Sequence, residues 1–492
     1  MRKKYKDKIL GIIDTMFVAH NEGMKELHDK EYDRVLDILG VCQEAAIAIG
    51  NTIEDLHTEE TDIINELVSY CALLYEISLK VYEIDDFSQI LNDKLLEIQE
   101  KVQNEIKVHY EIVFLPYKSS MWDSLESIWR AASEDENCIC RVMPIPYFDK
   151  NPNGTLGKRY YEGHDFPDYV PITRYDEYNL EEHRPDIIYY HNPYDEYNRV
   201  TSVHPAFYSS KLKNFCDELV YVPYFIAGYY RFIKSAASTY ELPKRYADKM
   251  VVQSKVQQEL LLQCNIPEDK ILPLGSPKAD AVINGLEHIK LPKEWEEVIK
   301  NRKVFFINSS ISRLLRDENW AQHINALIDY FEVNKECALI WRPHPLLRST
   351  ATSMKPELVE VYDLARSRVE GLSNAVIDEM DSAYPAIKYS DALISDYSSI
   401  VMQYTLTGKP ILMLDGKFEY KKDRYVCCDY FSNYFVGDGT TVEAFCDLIK
   451  KGLDNKIEER QKIARKSLIN GDGQCGKIIH TYILQEVKRI QA

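Results

Sequence analysis

The stretch SDALISDYSSIVMQY, residues 390–404, passes from a short apolar strand directly into a helix. Ala392 to Ile394 make the apolar run, and Ile400, Val401 and Tyr404 recur afterwards at helical spacing. Between them stand Asp396, Ser398 and Ser399, at the point where strand gives way to helix. Such a turn sets backbone N–H groups and the positive end of a helix dipole at the carboxyl edge of a sheet, which suits a phosphate. Simple capping of the helix by Asp396 or Ser398 is the other reading of the same residues.

The surrounding chain favours the first reading, because apolar runs of strand length recur on both sides. KVFFIN (303–308), ALIWRPHP (338–345), NAVID (374–378), DALIS (391–395) and KPILML (409–414) alternate with helical segments near 318–333, 356–370 and 398–406. An earlier series comprises EIVFLP (111–116), CRVMPIPY (140–147), DIIYYHN (186–192), LVYVPYF (219–225) and KMVVQS (249–254). Strands separated by helices imply parallel, doubly wound sheets, and two such domains would bind ligands where their strand ends face one another. The segment 148–185 is polar, rich in Tyr, Asp and Pro, and without a clear period.

Residues 1–108 have a different texture. They contain no proline, and Leu, Ile, Val and Tyr recur every three or four residues, which predicts an all-helical module. That module either joins copies of the chain into a homo-oligomer or caps its own chain. The domain reading is therefore 1–108 helical, 109–248 an N-terminal Rossmann-like acceptor domain, 249–475 a C-terminal nucleotide-binding domain, and 476–492 a C-terminal helix.

The 492 residues are 45% hydrophobic, enough for substantial cores, and carry a formal net charge of −18. That charge disfavours nucleic acid as a partner and restricts any contact with an anionic membrane to a peripheral one. Eleven cysteines without a C-x-x-C spacing read as reduced thiols in a cytoplasmic protein, at most peripheral to the inner membrane face. No run reaches the roughly eighteen apolar residues of a spanning helix.

In the second series the strand ends are polar: Ser309 and Ser310 after the first strand, Arg342 and His344 after the second, Asp378 after the third, Asp396, Ser398 and Ser399 after the fourth. An Arg, a His and a Ser-Ser helix start supply a diphosphate with charge and directed donors. The ordered set RPHP (342–345), YPAIKYSDALISDYSSIVMQYTLTGKPILML (384–414) and the preceding LPLGSPKAD (272–280) resembles the C-terminal half of the CDP-glycerol glycerophosphotransferase family, the enzymes related to teichoic acid primases and polymerases. The likeness runs from roughly residue 250 to 440.

The resemblance implies an α/β, GT-B-like pair of Rossmann-like domains with the helical module added in front. It places His344 on the donor pyrophosphate, Ser398 and Ser399 at the phosphate-binding helix start, and Asp396 where it orients that turn. Ser309, Ser310 and Arg342 join the donor set, and Lys278 stands where the family more usually has an Arg. The implied reaction moves glycerol phosphate, or a related polyol phosphate, from CDP-glycerol or another CDP-polyol to a polyol or glycan hydroxyl, in synthesis of a cell-surface polymer or glycan. No metal and no cofactor are expected, since no Asp-x-Asp motif offers a metal to the diphosphate.

One departure bears on catalysis. The family's tryptophan-His-Gly turn, whose His is thought to activate the acceptor, has no counterpart in VYVPYFIAG (220–228). His191 and Asp195, in YYHNPYDEY (189–197), follow a strand of the first series and are the replacement bases. A structural role for His191 is the alternative. Two other readings of the whole chain stand beside the leading one: a nucleotide-sugar glycosyltransferase of GT-B fold, and an inactive nucleotide-binding or scaffold relative.

Overall fold

The structure, a computed structural model, describes all residues except 57–60, 152, 199, 231–232, 415–424, 429–431, 465–467 and 492. The chain separates into two units, one built around Met1–Glu111 and the other around Ile112–Glu134 and Cys140–Ile490.

The first unit is a bundle of helices α1 (Lys3–His28), α2 (Tyr32–Leu56), α3 (Ile63–Leu79) and α4 (Ser88–Glu105). Its buried positions follow alternating steps of four and three: Ile9, Ile13, Met16, His20, Gly23 and Leu27 on α1; Val35, Leu39, Cys42, Ala46, Ile49 and Ile53 on α2. Helices α3 and α4 repeat the pattern with Leu67, Tyr70, Leu74 and with Leu91, Leu95, Ile98, Val102. That spacing gives each helix one narrow apolar seam, and four seams close on one another by packing α1 on α2, α2 on α3, α3 on α4 and α4 on α1. His20 interrupts the apolar seam and is satisfied there: its Nδ1 lies 2.7 Å from Asn92 Oδ1 and its Nε2 2.6 Å from the Tyr70 hydroxyl. Burial holds its imidazole below the usual pKa. Helix α2 is long and apolar enough to cross a membrane by length and composition, a property the residue-by-residue reading missed because Asp33, Asp37, Gln43 and Glu44 interrupt its apolar run. Its seam is spent on the bundle core.

The second unit opens with ten strands: β1 (Tyr110–Leu115), β2 (Cys138–Val142), β3 (Tyr147–Lys150), β4 (Leu156–Tyr160), β5 (Ile187–Tyr190), β6 (Thr201–Val203), β7 (Glu218–Tyr221), β8 (Tyr229–Tyr230), β9 (Lys249–Val252) and β10 (Ile271–Pro273). Six of them form a sheet in the order β10-β9-β7-β5-β1-β2, with parallel pairing from β10 through β1. The order reverses between β1 and β5. The stretch without a period, 148–185, contributes a hairpin of β3 and β4 that pairs antiparallel with β6.

A second sheet follows from β11 (Lys303–Ser309), β12 (Cys337–Pro343), β13 (Ala375–Ile377), β14 (Ala392–Ser395), β15 (Ile411–Met413) and β17 (Tyr434–Phe435), while β16 (Tyr425–Val426) pairs with β8. Its order is β13-β12-β11-β14-β15-β17, parallel throughout, so chain direction across the sheet reverses between β11 and β14. Apolar residues fill both faces: Phe305, Ile307, Leu339 and Trp341 pack under one helical layer, and Phe306, Ile340, Leu393 and Ile411 under the other. This is why the strands read as unbroken apolar runs.

The boundary expected between residues 248 and 249 falls inside the first sheet. Strand β9 pairs with β7, β10 pairs with β9, and Met250 and Val252 enter the first core. A short apolar run carries no mark of which of two like sheets it will join. The helix Cys475–Ile490 also returns to the first half, packing on Glu126–Ser133, and Asp280 accepts from the Gly476 N–H at its start, 2.8 Å away.

Leu95→Ala, a truncation inside the bundle seam, is expected to cost about 2–5 kcal/mol in the unfolding transition of the helical unit, read by urea denaturation.

Candidate functional site

Each sheet ends its carboxyl edge at a reversal of strand order, and ligand-binding crevices form at such points. In the second sheet the reversal lies between β11 and β14. Strand β11 leads into Asn308, Ser309 and Ser310, and β14 into Ser395, Asp396 and Ser398. The two turns are tied together. Asn308 Nδ2 donates to Ser395 Oγ at 2.9 Å and to Ser398 Oγ at 3.2 Å, and the Ser310 hydroxyl donates to the buried Asp396 carboxylate. Ser310 also caps its own helix, accepting from the Arg313 N–H at 3.2 Å. Ser309 is turned away, accepting from the Trp341 indole N–H at 3.0 Å in the buried layer.

Ser398 is the residue before the helix Ser399–Thr405, and its hydroxyl makes no capping bond to that helix among the described residues. The capping reading of Ser398 therefore does not describe this turn. Ser399 is exposed and lines a cavity of about 620 Å³. The walls come from both halves of the second unit: Ser119–Asp123, Glu126 and Tyr224–Ile226 from the first sheet's side, Lys278, Asn308, Arg342–Pro345, Asp381–Tyr384, Ser399, Ile400 and Gln403 from the other.

Three basic residues named from sequence reach this cavity. The Arg342 guanidinium pairs with Asp378 Oδ2 at 2.8 Å and donates to the Met380 carbonyl at 2.7 Å, so it also shapes the loop beyond β13. His344 receives the Leu346 N–H on Nδ1 at 3.1 Å, which leaves its Nε2 as the ring nitrogen available to a ligand. Burial and the neighbouring Arg342 hold its pKa below the ordinary value. Lys278 points its ammonium at Asp123, 2.7 Å from each carboxylate oxygen.

The two base candidates lie elsewhere. His191 follows β5 at the first sheet's reversal point, yet it is fully buried and does not line the cavity. Its Nε2 accepts the Tyr117 N–H at 3.3 Å and its Nδ1 lies 3.0 Å from Ser124 Oγ. An Nε2 that accepts requires the ring proton on Nδ1. Burial, and next the charge of Lys278, push this imidazole down to about 3. Asp195 sits at φ 43°, buried, with Oδ2 accepting the Ser209 N–H at 2.8 Å and the Ser209 hydroxyl at 2.6 Å. Burial pushes its carboxyl up to about 6 against those bonds. Neither residue joins the donor set at the cavity.

Sequence reasoning passed over Asp123 and Tyr384. Asp123 follows β1 in the short helical turn Ser119–Ser124 and receives both Lys278 and the Tyr384 hydroxyl, the latter at 2.5 Å. In the string SSMWDSLES an aspartate looks like an ordinary helix-surface residue, and no spacing marks it out.

Comparison with known proteins bears on the same region. The family model described as CDP-Glycerol:Poly(glycerophosphate) glycerophosphotransferase matches residues 230–468. The teichoic acid ribitol-phosphate polymerase TarL of Staphylococcus aureus (strain NCTC 8325 / PS 47) is 23% identical over 211 residues, 40% of this chain and 34% of TarL. TarK of the same organism is 22% identical over 208 residues, 40% of this chain and 37% of TarK. The chain thus spans about a third of the length of these curated relatives. Among solved structures, the UDP-GlcNAc 2-epimerase from Neisseria meningitidis bound to UDP-GlcNAc shares the fold, with a TM-score of 0.50 at 15% identity over 77% of this chain and 100% of its own.

His191 generates a prediction of stability. The unfolded imidazole titrates near 6.5 and the folded one near 3, so between those values the unfolded state binds more protons and stability falls as pH drops. In denaturation at a series of pH values, His191→Gln is expected to lose that component. It should also remain about 1–3 kcal/mol more stable than His191→Leu, because an amide still accepts from the Tyr117 N–H.

Proposed function

We propose, from the match of residues 230–468 to the family model described as CDP-Glycerol:Poly(glycerophosphate) glycerophosphotransferase, that this chain transfers glycerol phosphate, or a related polyol phosphate, from a CDP-linked donor to a hydroxyl acceptor. The observation that carries the reading is the convergence of Lys278, Arg342, His344 and Ser399 on one cavity shared by the two Rossmann-like halves. In this reading the donor diphosphate lies over the turns after β11 and β14. The exposed start of the helix Ser399–Thr405 and the His344 ring supply donors, and Lys278 and Arg342 supply charge.

The acceptor hydroxyl enters from the first half and attacks the β-phosphorus, expelling CMP. Little covalent chemistry falls to the protein in such a transfer. Positioning and stabilisation of the equatorial oxygens and of the leaving phosphate supply most of the rate. Two features support the division of labour. The cavity floor on the donor side is rigidly built by the Asn308 and Ser310 bonds, while its opposite wall, Ser119 to Glu126 and Tyr224 to Ile226, is polar and aromatic in the manner of a polyol site. The polymer or glycan served by this transfer, and a cytoplasmic location with the donor pool, belong to the same proposal.

Calorimetry with CDP and CDP-glycerol tests the donor side. His344→Ala removes a charge-assisted phosphate contact of about 1.5–3 kcal/mol and is expected to weaken binding roughly tenfold or more. An unaltered chain with no measurable affinity for CDP would count against the whole reading.

A further inference from the structure

With His191 and Asp195 buried and engaged in structural bonds, the acceptor lacks a base from the sequence-derived set. The carboxylates on the cavity wall are Asp123, Glu126, Asp165 and Asp381. Glu126 is held on its own half by Arg130, at 2.6 Å, and by the Tyr169 hydroxyl, also at 2.6 Å. Asp381 lies on the donor half, beside the loop that Arg342 holds. Asp123 differs from Glu126 and Asp381. It stands on the acceptor half, in the helical turn Ser119–Ser124 that follows β1 at that sheet's reversal point, yet both of its bonding partners, Lys278 and Tyr384, come from segments that build the donor side. The pair is shielded, with side-chain exposures of 10% for Lys278 and 17% for Asp123.

Resting on the transfer reading above, we propose that Asp123 is the base that takes the acceptor's proton, and that Lys278 holds it in reserve until a donor diphosphate draws the ammonium away. Lys278 has one strong anionic partner on this wall, Asp123. A nucleoside diphosphate entering the same cavity brings more negative charge and competes for that cation. Once Lys278 turns to the phosphates, Asp123 keeps the Tyr384 hydroxyl on Oδ2 and loses the ammonium from Oδ1. The donor thereby arms the base that its own reaction needs.

The step balances without an added reactant. The acceptor O–H proton passes to Asp123, the acceptor oxygen forms a bond to the β-phosphorus, and the bond from that phosphorus to the bridging oxygen breaks. The bridging oxygen leaves on CMP with its electron pair, stabilised by Lys278. The base and the leaving-group cation are thus the two ends of one ion pair that the donor separates.

This arrangement makes two effects of Asp123→Asn run in opposite directions. In the full chain, CMP release from CDP-glycerol with a panel of polyol acceptors is expected to fall about 10²–10⁴-fold. CDP affinity by calorimetry is expected to rise about threefold or more, since the amide no longer competes for Lys278. Lys278→Ala should lose CDP affinity. Turnover at the unaltered rate in Asp123→Asn overturns the base assignment while leaving the transfer reading in place. Loss of CDP affinity in a folded Asp123→Asn shows a latch that merely holds the cavity together, and overturns the proposal as well. If the amide variant fails to fold, Asp123→Glu carries the test: it keeps the charge but moves the carboxylate by one methylene, and turnover should fall about tenfold or more at unchanged CDP affinity. Full turnover there refutes the assignment. An unaltered chain that binds CDP but releases no CMP with any acceptor defeats the transfer reading itself.

Discussion

The bond from Ser310 to Asp396, with the two that Asn308 makes to Ser395 and Ser398, ties together the two turns that edge the cavity at the second sheet's reversal point. Strands β11 and β14 are neighbours in the sheet, but the order reverses between them and their following helices diverge. A crevice opened this way has loose lips unless something ties the turns together. Asp396 is fully buried, and a buried carboxylate without hydrogen bonds would cost several kilocalories per mole, so the turn after β11 must come to it. The same bonds orient the backbone at the start of Ser399–Thr405. The proposed phosphate site would therefore follow from satisfying one buried acid.

Charge in the cavity follows a related logic. A protein with net charge −18 repels an anionic donor at long range, so attraction has to be local and short. The cavity supplies Lys278 and Arg342, yet each is already matched, with Asp123 and with Asp378. The Asp378 partner is wholly buried and cannot be displaced without stranding a charge inside the sheet, whereas Asp123 keeps some access to the cavity. Of the two cations, only Lys278 can exchange partners at modest cost. Arg342 serves instead as a strut that holds the loop at 380–382.

How much of this was legible in the residues depends on which periodicity carried it. Strands covered on both faces announce themselves as apolar runs, and the a/d seams of the bundle as alternating steps of four and three, so the fold class and most elements could be read directly. The polar ends of β11, β12 and β14 were equally plain, because a strand's direction places whatever follows it at the carboxyl edge. Beyond the strand end the rule stops. His191 and Asp195 come after β5 just as His344 comes after β12, but the loop at 191–195 folds inward, through a left-handed residue at Asp195, and buries both side chains. Membership of β9 and β10 in the first sheet escaped for a different reason: pairing is a long-range choice that a four-residue run does not encode.

The buried His191 and the cavity-facing Asp123 are parts of one construction. Tyr117 and Ser124 bracket the segment that carries Asp123, and His191 bonds to both, receiving the N–H of one and meeting the hydroxyl of the other. Only a neutral imidazole with its proton on Nδ1 can make this pair of bonds, because a protonated ring has no acceptor for the Tyr117 N–H. Burial enforces that state, and the nearby Lys278 charge enforces it further. Ser124 passes the bond on to the Met121 carbonyl at 2.8 Å, closing the turn around Asp123. A histidine that looks from sequence like a proton acceptor for substrate thus accepts from the backbone instead, and its service is to hold still the turn on which the Asp123 carboxylate stands.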